Sequence, residues 1–244
     1  QISAKGWECL NVVAKTDIGF VRNENQDRVR AEKIDNDVVL AVLCDGMGGH
    51  NAGSDASELA VNTIFERISL GFKADYDCNK IRNLLVSAVC AANAVVFDAS
   101  QKDESKSGMG TTCVLVLVKE GKAYFVNVGD SRAYIIDGAN ISQVTADHSM
   151  TSVYLDEKLK FVERKFITKA VGIEPKIEPD YFEFEIKQEA KILLCSDGLS
   201  NYCGENEMLE IISSQGMDDA VSSLVDFALN KGGNDNITVV LIGD

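Results

Sequence analysis

Four aspartates in this sequence stand at the ends of apolar, strand-like runs. VVLAVLCDG ends on Asp45 and a glycine, KILLCSDG ends on Asp197 and a glycine, AYFVNVGD ends on Asp130, and Asp235 directly precedes NITVVLI. Any one of these acids is readily explained as a turn residue at a strand end. If the four ends meet, however, the carboxylates repel one another unless hard cations lie between them. Both interpretations stay open on this pattern alone, and oxygen ligands of this kind suit Mg²⁺ or Mn²⁺.

The elements that must position these acids follow from the apolar patterning. We expect strands, rich in Val, Ile and aromatic residues, at 8–15, 38–44, 111–118, 123–128, 133–137, 181–186, 191–195 and 237–242. Helical periodicity predicts helices at 54–69, 79–99, 206–213 and 217–230, with Asn206 and Asp218 as N-caps of the last two. Strands grouped apart from helices favour an α+β layered sandwich of largely antiparallel sheets with helices on their outer faces.

Length and composition indicate one globular domain. The chain has 244 residues, 45% of them hydrophobic, and contains two prolines and no stretch that resembles a linker. No apolar run approaches the roughly 20 residues of a membrane-spanning helix, so we expect a soluble protein without a membrane segment. The sequence begins with Gln1 rather than Met, so we expect a processed or trimmed chain whose native N-terminus is not seen.

Charge and cysteine content exclude several classes of protein. A net charge of −14 argues against a nucleic-acid surface. It indicates either a solubilising acidic surface or, in part, a carboxylate cluster that cations neutralise. Seven cysteines, an odd number, and only two histidines argue against a disulfide framework and against a zinc site of the usual kind. A reducing compartment fits these cysteines best.

A series of short motifs appears in a fixed order along nearly the whole chain. They are TDIGFVRNENQD (16–27), DGMGGH (45–50), GMGTT (108–112), GDSRAY (129–134), TADHS (145–149), TKAVG (168–172), CSDGL (195–199) and GGNDNITVV (232–240). In this order the sequence resembles the type 2C metal-dependent protein phosphatases, in their compact bacterial form. The resemblance implies a single catalytic domain over 1–244, folded as a four-layer α/β/β/α sandwich of two mainly antiparallel sheets flanked by helix pairs.

The resemblance also implies a binuclear metal centre. Asp45 would bridge two ions, Mn²⁺ or Mg²⁺, while Asp197 and Asp235 would bind the first and the Gly46 carbonyl the second. Asp27 would act through bound water. Two such ions lower the pKa of a bridging water toward neutrality, so that it attacks phosphorus without a protein nucleophile.

Two further roles are implied at the edge of this centre. A third, weaker ion would involve Asp130 together with Asp197. Arg22 matches the position that binds the phosphate, where a guanidinium holds two oxygens with a planar fork.

The sequence departs from the family pattern at three places. Gln26 stands where many relatives have a Glu that ligates the second ion, which weakens the charge of that site. Met47 replaces the His that eukaryotic members place after Asp-Gly, and the first histidine is His50. Because its unperturbed pKa lies near the working pH, His50 is a candidate general acid, and a hydrogen bond within its loop is the alternative. The flap at about 149–167 is shortened, which puts substrate preference in doubt.

The resemblance therefore implies hydrolysis of phosphoserine and phosphothreonine in proteins, which reverses the signalling of a Ser/Thr kinase by acting on its substrates. We expect a cytoplasmic monomer with no nucleic-acid partner. Two alternatives remain. A catalytically silent scaffold should have lost metal ligands, and none is lost here. A phosphatase with the same metal centre that acts on a nucleotide or a small phosphate ester is the second alternative, and the sequence has no Gly-rich phosphate loop with Lys to support it, since DGMGG lacks the Lys.

Overall fold

A computed structural model of the protein describes residues 10–49, 52–155 and 161–244. Within these ranges the strands are β1 (Asn11–Asp17), β2 (Asp27–Asp35), β3 (Val38–Met47), β4 (Gly110–Thr111), β5 (Cys113–Lys119), β6 (Lys122–Val128), β7 (Arg132–Asp137), β8 (Asn140–Gln143), β9 (Ser149–Leu155), β10 (Phe161–Ile167), β11 (Asp180–Glu185), β12 (Lys191–Cys195) and β13 (Ile237–Gly243). The helices are α1 (Ala52–Gly71), α2 (Cys78–Lys102), α3 (Asp197–Ser200), α4 (Glu205–Ser214) and α5 (Met217–Asn230), with a 3-10 turn at Glu104–Lys106.

Two large sheets carry most of the strands. The first has the order β1-β13-β12-β7-β8, and the second has the order β11-β6-β5-β3-β2 with β4 paired to β3. The strands β9 and β10 form a separate hairpin. Among the described residues, every pairing between these strands is antiparallel.

The two sheets pack face to face, and helices cover both outer faces. Leu43 and Phe125 of the second sheet share one buried cluster with Leu194 and Val240 of the first. The outer face of the second sheet packs against α1 and α2, and that of the first against α4 and α5. A strand that is buried on both faces has a continuous run of apolar residues, as residues 38–44 of β3 do. The expected four-layer α/β/β/α sandwich is confirmed.

Several local expectations were wrong. The N-caps of α4 and α5 are Gly204 and Gly216 rather than Asn206 and Asp218, because the latter two residues lie inside the helices, in their first turns, and not at the capping position. The strand β2 was missed because DRVRAEKID, on an edge of its sheet, is polar along much of its length. The hairpin of β9 and β10 was also not expected.

One described helix, α2, is long and apolar enough to cross a membrane by length and composition. Its buried residues, including Leu85, Val89 and Val96, pack in the core against α1 and the second sheet. Core helices of water-soluble proteins share this composition, so the helix is accounted for by packing.

Candidate active site

The strand ends that carry the aspartates meet at one end of the sandwich. Asp27 and Asp45 lie directly opposite each other where β2 pairs with β3. Hydroxyls from the other sheet reach Asp27: Ser196 Oγ donates to Asp27 Oδ2 at 2.8 Å, and Thr238 Oγ1 donates to the same oxygen at 2.7 Å. Residues 169 and 211 positions away thus converge on one carboxylate and join the two sheets beneath the site.

The backbone of Asp45 is held on both sides by a pair of threonines. The Asp45 N–H donates to Thr112 Oγ1 at 3.0 Å, and the Asp45 carbonyl accepts from Thr111 Oγ1 and from the Thr112 N–H, each at 2.8 Å. Thr112 Oγ1 also lies 2.7 Å from Ser131 Oγ. The interruption between β4 and β5 places Thr112 at this point, so the GMGTT motif fixes where the Asp45 side chain emerges.

The glycines that follow Asp45 and Asp197 are needed for close packing of the backbone. A Cβ on Gly46 would lie 2.0 Å from the Gly53 carbonyl oxygen of α1. A Cβ on Gly198 would lie 1.9 Å from the Asn236 carbonyl oxygen. The Asp-Gly pattern therefore allows the chain to pass directly beneath each aspartate, where any side chain would collide with backbone.

The carboxylates raise one another's pKa. Burial raises the pKa of Asp45 well above its ordinary value, and the charges of Asp27, Asp197, Asp235 and Asp130 raise it further. Burial raises the pKa of Asp27 to about 6, although the hydroxyls that contact it oppose the shift. The pKa of Asp197 is raised to about 6 by burial and then by Asp130 and Asp235. The five carboxylates therefore influence one another's protonation, and their negative charge is not balanced by an equal number of positive side chains.

This donor set fits divalent cations. Asp27 Oδ1 and Asp130 Oδ1 are buried and have no hydrogen-bond partner among the described residues, so each offers an oxygen that the protein leaves unsatisfied. Among those same residues, no three acidic, histidine or cysteine side chains lie close enough together to hold a metal ion. Hard cations prefer such oxygen donors, and a bound cation would offset the repulsion between the carboxylates.

Arg22 lies at the rim of the acidic cluster. Its Nη2 is 2.8 Å from Asp235 Oδ2, and its side chain is half exposed. The hydrogen bond to Asp235 raises the pKa of Arg22 against the effect of burial, and the charges of Asp235, Asp45 and Asp197 raise it further.

A single buried amide holds the loop that carries Arg22. Asn236 accepts from the Gln26 N–H at 2.8 Å and donates to the carbonyl oxygens of Ile18 and Glu24 at 2.9 and 3.0 Å. The Asn236 backbone N–H donates to Asp235 Oδ1 at 2.8 Å, so the same short segment positions a carboxylate and the loop of the guanidinium that pairs with it.

A cavity of about 210 Å³ opens over these groups. It is lined by Arg22, Gln26, Asp45, Gly46, Met47, Gly48, Ile167, Asp197, Asp235 and Asn236. The structure thus brings together Arg22, Asp45, Gly46, Asp197 and Asp235 around one cavity. Asp27 lies beneath it, and His50 falls outside the described residues.

Asp130 lies at the side of the cluster and already has a cationic partner. Lys165 of β10 places its Nζ 2.7 Å from Asp130 Oδ2 and 3.4 Å from Asp147 Oδ2. Asp147 is also bound by Arg132, whose Nε and Nη2 each lie 2.9 Å from a carboxylate oxygen. Burial opposes the charge on Lys165, but Asp130 outweighs it and the pKa of Lys165 is raised.

The remaining described histidine, His148, lies in a closed hydrogen-bond network. Its Nδ1 accepts from the Gly129 N–H at 3.1 Å, and its Nε2 lies 3.1 Å from Asp180 Oδ2. Lys169 contacts the other oxygen of Asp180. These contacts give His148 a structural role in holding the turn that precedes Asp130.

An acidic cavity with one guanidinium at its rim suits a metal-dependent hydrolase of phosphate esters. Comparison with known proteins gives the family: a model described as protein phosphatase 2C matches residues 22–241. Protein phosphatase PhpP of Streptococcus pneumoniae is 33% identical, covering 96% of this chain and 97% of its own. Serine/threonine phosphatase stp of Listeria monocytogenes is 31% identical over 93% of both.

Solved structures agree. The serine/threonine phosphatase of S. agalactiae matches with a TM-score of 0.85 and 29% identity, covering 96% of this chain and 99% of its own. The chain belongs to the protein phosphatase 2C family. The expected family and the expected enzyme class, a bacterial protein-serine/threonine phosphatase, are confirmed, and the family is metal-dependent.

Residues that support the site were not singled out from the sequence. Thr112, Ser196, Thr238 and Asn236 all lie inside recognised motifs, so motif membership was a signal for them, although their contacts were not foreseen. Lys165 lies in none of the motifs, and no sequence signal pointed to it.

Proposed function

We propose that Asp45, Asp197 and Asp235 are the side-chain ligands of two divalent ions, Mn²⁺ or Mg²⁺, with which this phosphatase hydrolyses phosphoserine and phosphothreonine in proteins. The observation that carries the proposal is the convergence of carboxylates from both sheets on one cavity, where burial and then the charges of its neighbours raise the pKa of Asp45. Cations relieve that repulsion, and no described cationic side chain other than Arg22 lines the cavity.

Further ligands are proposed from the same placement. The Gly46 carbonyl would serve the second ion, and Asp27, which lies beneath the cavity with an unsatisfied Oδ1, would act through a water molecule. Ions held in this way lower the pKa of water and offset the negative charge of phosphate oxygens.

Arg22 is proposed to bind the phosphate. Its guanidinium borders the cavity and is oriented by Asp235, while its planar fork carries additional N–H donors suited to two phosphate oxygens. Because Asn236 fixes the loop that bears it, Arg22 is held close to its place before substrate arrives.

The leaving serine or threonine oxygen requires a proton. We propose His50 as the proton donor, because the ordinary pKa of an imidazole lies near neutral pH and suits that step. Both ring nitrogens of the other histidine, His148, already contact Gly129 and Asp180. Replacing His50 with Gln tests the assignment: kcat should fall most for substrates with poor leaving groups, such as phosphoserine peptides, and little for p-nitrophenyl phosphate. An equal loss on both substrates would contradict a proton-donor role.

The setting of the enzyme is also a proposal. We propose one catalytic domain over 1–244 with a flap at about 149–167, acting as a cytoplasmic monomer on proteins phosphorylated by a Ser/Thr kinase. Relatives named serine/threonine phosphatase support phosphoproteins as the substrates.

The decisive experiment measures Mn²⁺-dependent release of phosphate from a phosphothreonine peptide. Asp45→Asn and Asp235→Asn should each lower kcat/KM at least about a hundredfold, as when a charged group that stabilises the transition state is removed. Asp137→Asn is the matched control, because Asp137 is a partly exposed acid paired with Lys187 away from the cavity. Activity that survives in either site variant overturns the proposal, and faster turnover of free nucleotides than of phosphopeptides would reassign the substrate.

A further inference from the structure

The flap hairpin, formed by β9 and β10, places the Lys165 ammonium beside the active-site cluster. The base of the hairpin is closed by the Thr168 N–H, which donates to the His148 carbonyl at 2.8 Å. Along β10, Lys165 and Ile167 are two residues apart and therefore point to the same face of the hairpin. Ile167 lines the cavity, and Lys165 contacts Asp130 beside it.

The charges around Lys165 pair in a definite way. Arg132 binds both oxygens of Asp147, so the charge of Asp147 already has a partner. Lys165 lies closer to Asp130, at 2.7 Å against 3.4 Å, and the Asp130 side chain is only 3% exposed. The Asp130 carboxylate is almost completely shielded from water, so removing its ammonium partner would leave a buried charge without compensation.

Asp130 is also the carboxylate on which the family resemblance placed a third, weaker ion. We propose that the Lys165 ammonium takes the position of that third ion, so that this phosphatase binds two divalent ions and its flap supplies the remaining positive charge. The inference rests on the proposed two-ion site for its location. It goes beyond that site because it assigns to the flap a cation that competes with metal.

Competition follows from like charge. A divalent ion that shared Asp130 with Lys165 would be repelled by the ammonium, so one must leave before the other binds fully. By linkage, removing the ammonium strengthens the third ion, and forcing a third ion onto Asp130 releases the flap. The flap of this chain would then be held against the cluster by the ion pair between Lys165 and Asp130 rather than by a metal ligand.

The test counts bound ions. Metal-free protein is dialysed against millimolar Mn²⁺ and its metal content is measured, with calorimetric titration giving the affinities. The wild-type chain and Lys165→Arg should hold two ions, and Lys165→Met should hold three. At the third site the affinity should rise at least about fivefold, the lower end of typical coupling between two ligands. The double variant Lys165→Met/Asp130→Asn should return to two ions.

The matched control is Lys169→Met, because Lys169 pairs with Asp180 and has nearly the same exposure as Lys165, 34% against 30%. It should hold two ions. Hydrogen exchange over 161–167 supplies a second measurement: Lys165→Met should exchange faster than wild type, and Lys169→Met should not. Three ions in the wild-type chain, or equal stoichiometry in wild type and Lys165→Met, would overturn this inference alone. A wild-type chain that binds no ion would overturn the proposed metal site as well.

Discussion

The amide of Asn236 provides the sharpest test of how the site is built. The Asn236→Ala variant removes one acceptor and one donor group that together make three hydrogen bonds to the loop carrying Arg22. Asn236 is 5% exposed, so water replaces the amide poorly. The Gln26 N–H loses its acceptor, which costs about 1–3 kcal/mol, while the carbonyls of Ile18 and Glu24 turn partly toward solvent at a smaller cost. We expect a total loss of about 2–3 kcal/mol.

The assay is urea unfolding of the metal-free chain, which separates folding from ion binding. The free energy of unfolding should fall by the stated amount with an unchanged m value. Asn234→Ala is the matched control two residues away, since Asn234 is exposed and donates one hydrogen bond to Tyr202 Oη. That control should change stability by less than about 0.5 kcal/mol.

Activity supplies the second half of the test. Once the loop is released, Arg22 is no longer held at the cavity, so KM for a phosphopeptide should rise in Asn236→Ala even when Mn²⁺ saturates the enzyme. A loss of stability no larger than that of Asn234→Ala, with KM unchanged, would refute the claim that Asn236 holds the loop.

Three further predictions concern charge and packing at the same end of the sandwich. Asp27 and Asp197 have pKa values of about 6 in the folded chain against an ordinary 3.8, so folding favours their protonated forms. Their contribution to the stability of the metal-free chain should be full below about pH 4 and should be lost as pH rises through 6; a flat melting temperature across that range would contradict it. Gly46→Ala, whose new Cβ would lie 2.0 Å from a carbonyl oxygen of α1, should destabilise by more than about 2 kcal/mol in thermal unfolding, whereas Gly49→Ala, with open space around it, should be nearly neutral. Arg22→Lys should raise KM for phosphopeptide and leave metal stoichiometry unchanged, because an ammonium lacks the planar fork; fewer bound ions would instead make Arg22 part of the metal site.

The sequence predicted apolar elements better than polar ones. The strand expected at 38–44 lies within β3, and the helix expected at 217–230 coincides with α5, because their burial follows directly from residue type. The polar strand β2 and the hairpin of β9 and β10 were missed, since neither shows a clear apolar alternation. The N-caps were wrong because glycine serves at both positions without a side-chain hydrogen bond.

The candidate site was predicted as a set of residues rather than as a set of contacts. The motifs placed Arg22, Asp45, Gly46, Asp197 and Asp235 together, and the structure puts all five around one cavity. Their assignment as ligands and phosphate binder stays a prediction. The structure adds the reason for the glycines after Asp45 and Asp197, whose missing side chains make room for neighbouring backbone.

By itself, the sequence determined the family and the layered fold, since ordered motifs and apolar periodicity are properties of neighbouring residues. Only the tertiary structure decided how the acids of the site are supported and balanced. The Ser196 and Thr238 hydroxyls on Asp27, the Asn236 amide on the Arg22 loop and the Lys165 ammonium on Asp130 join segments far apart in the chain. Such contacts depend on the packing of two sheets and a hairpin, and no local pattern encodes them.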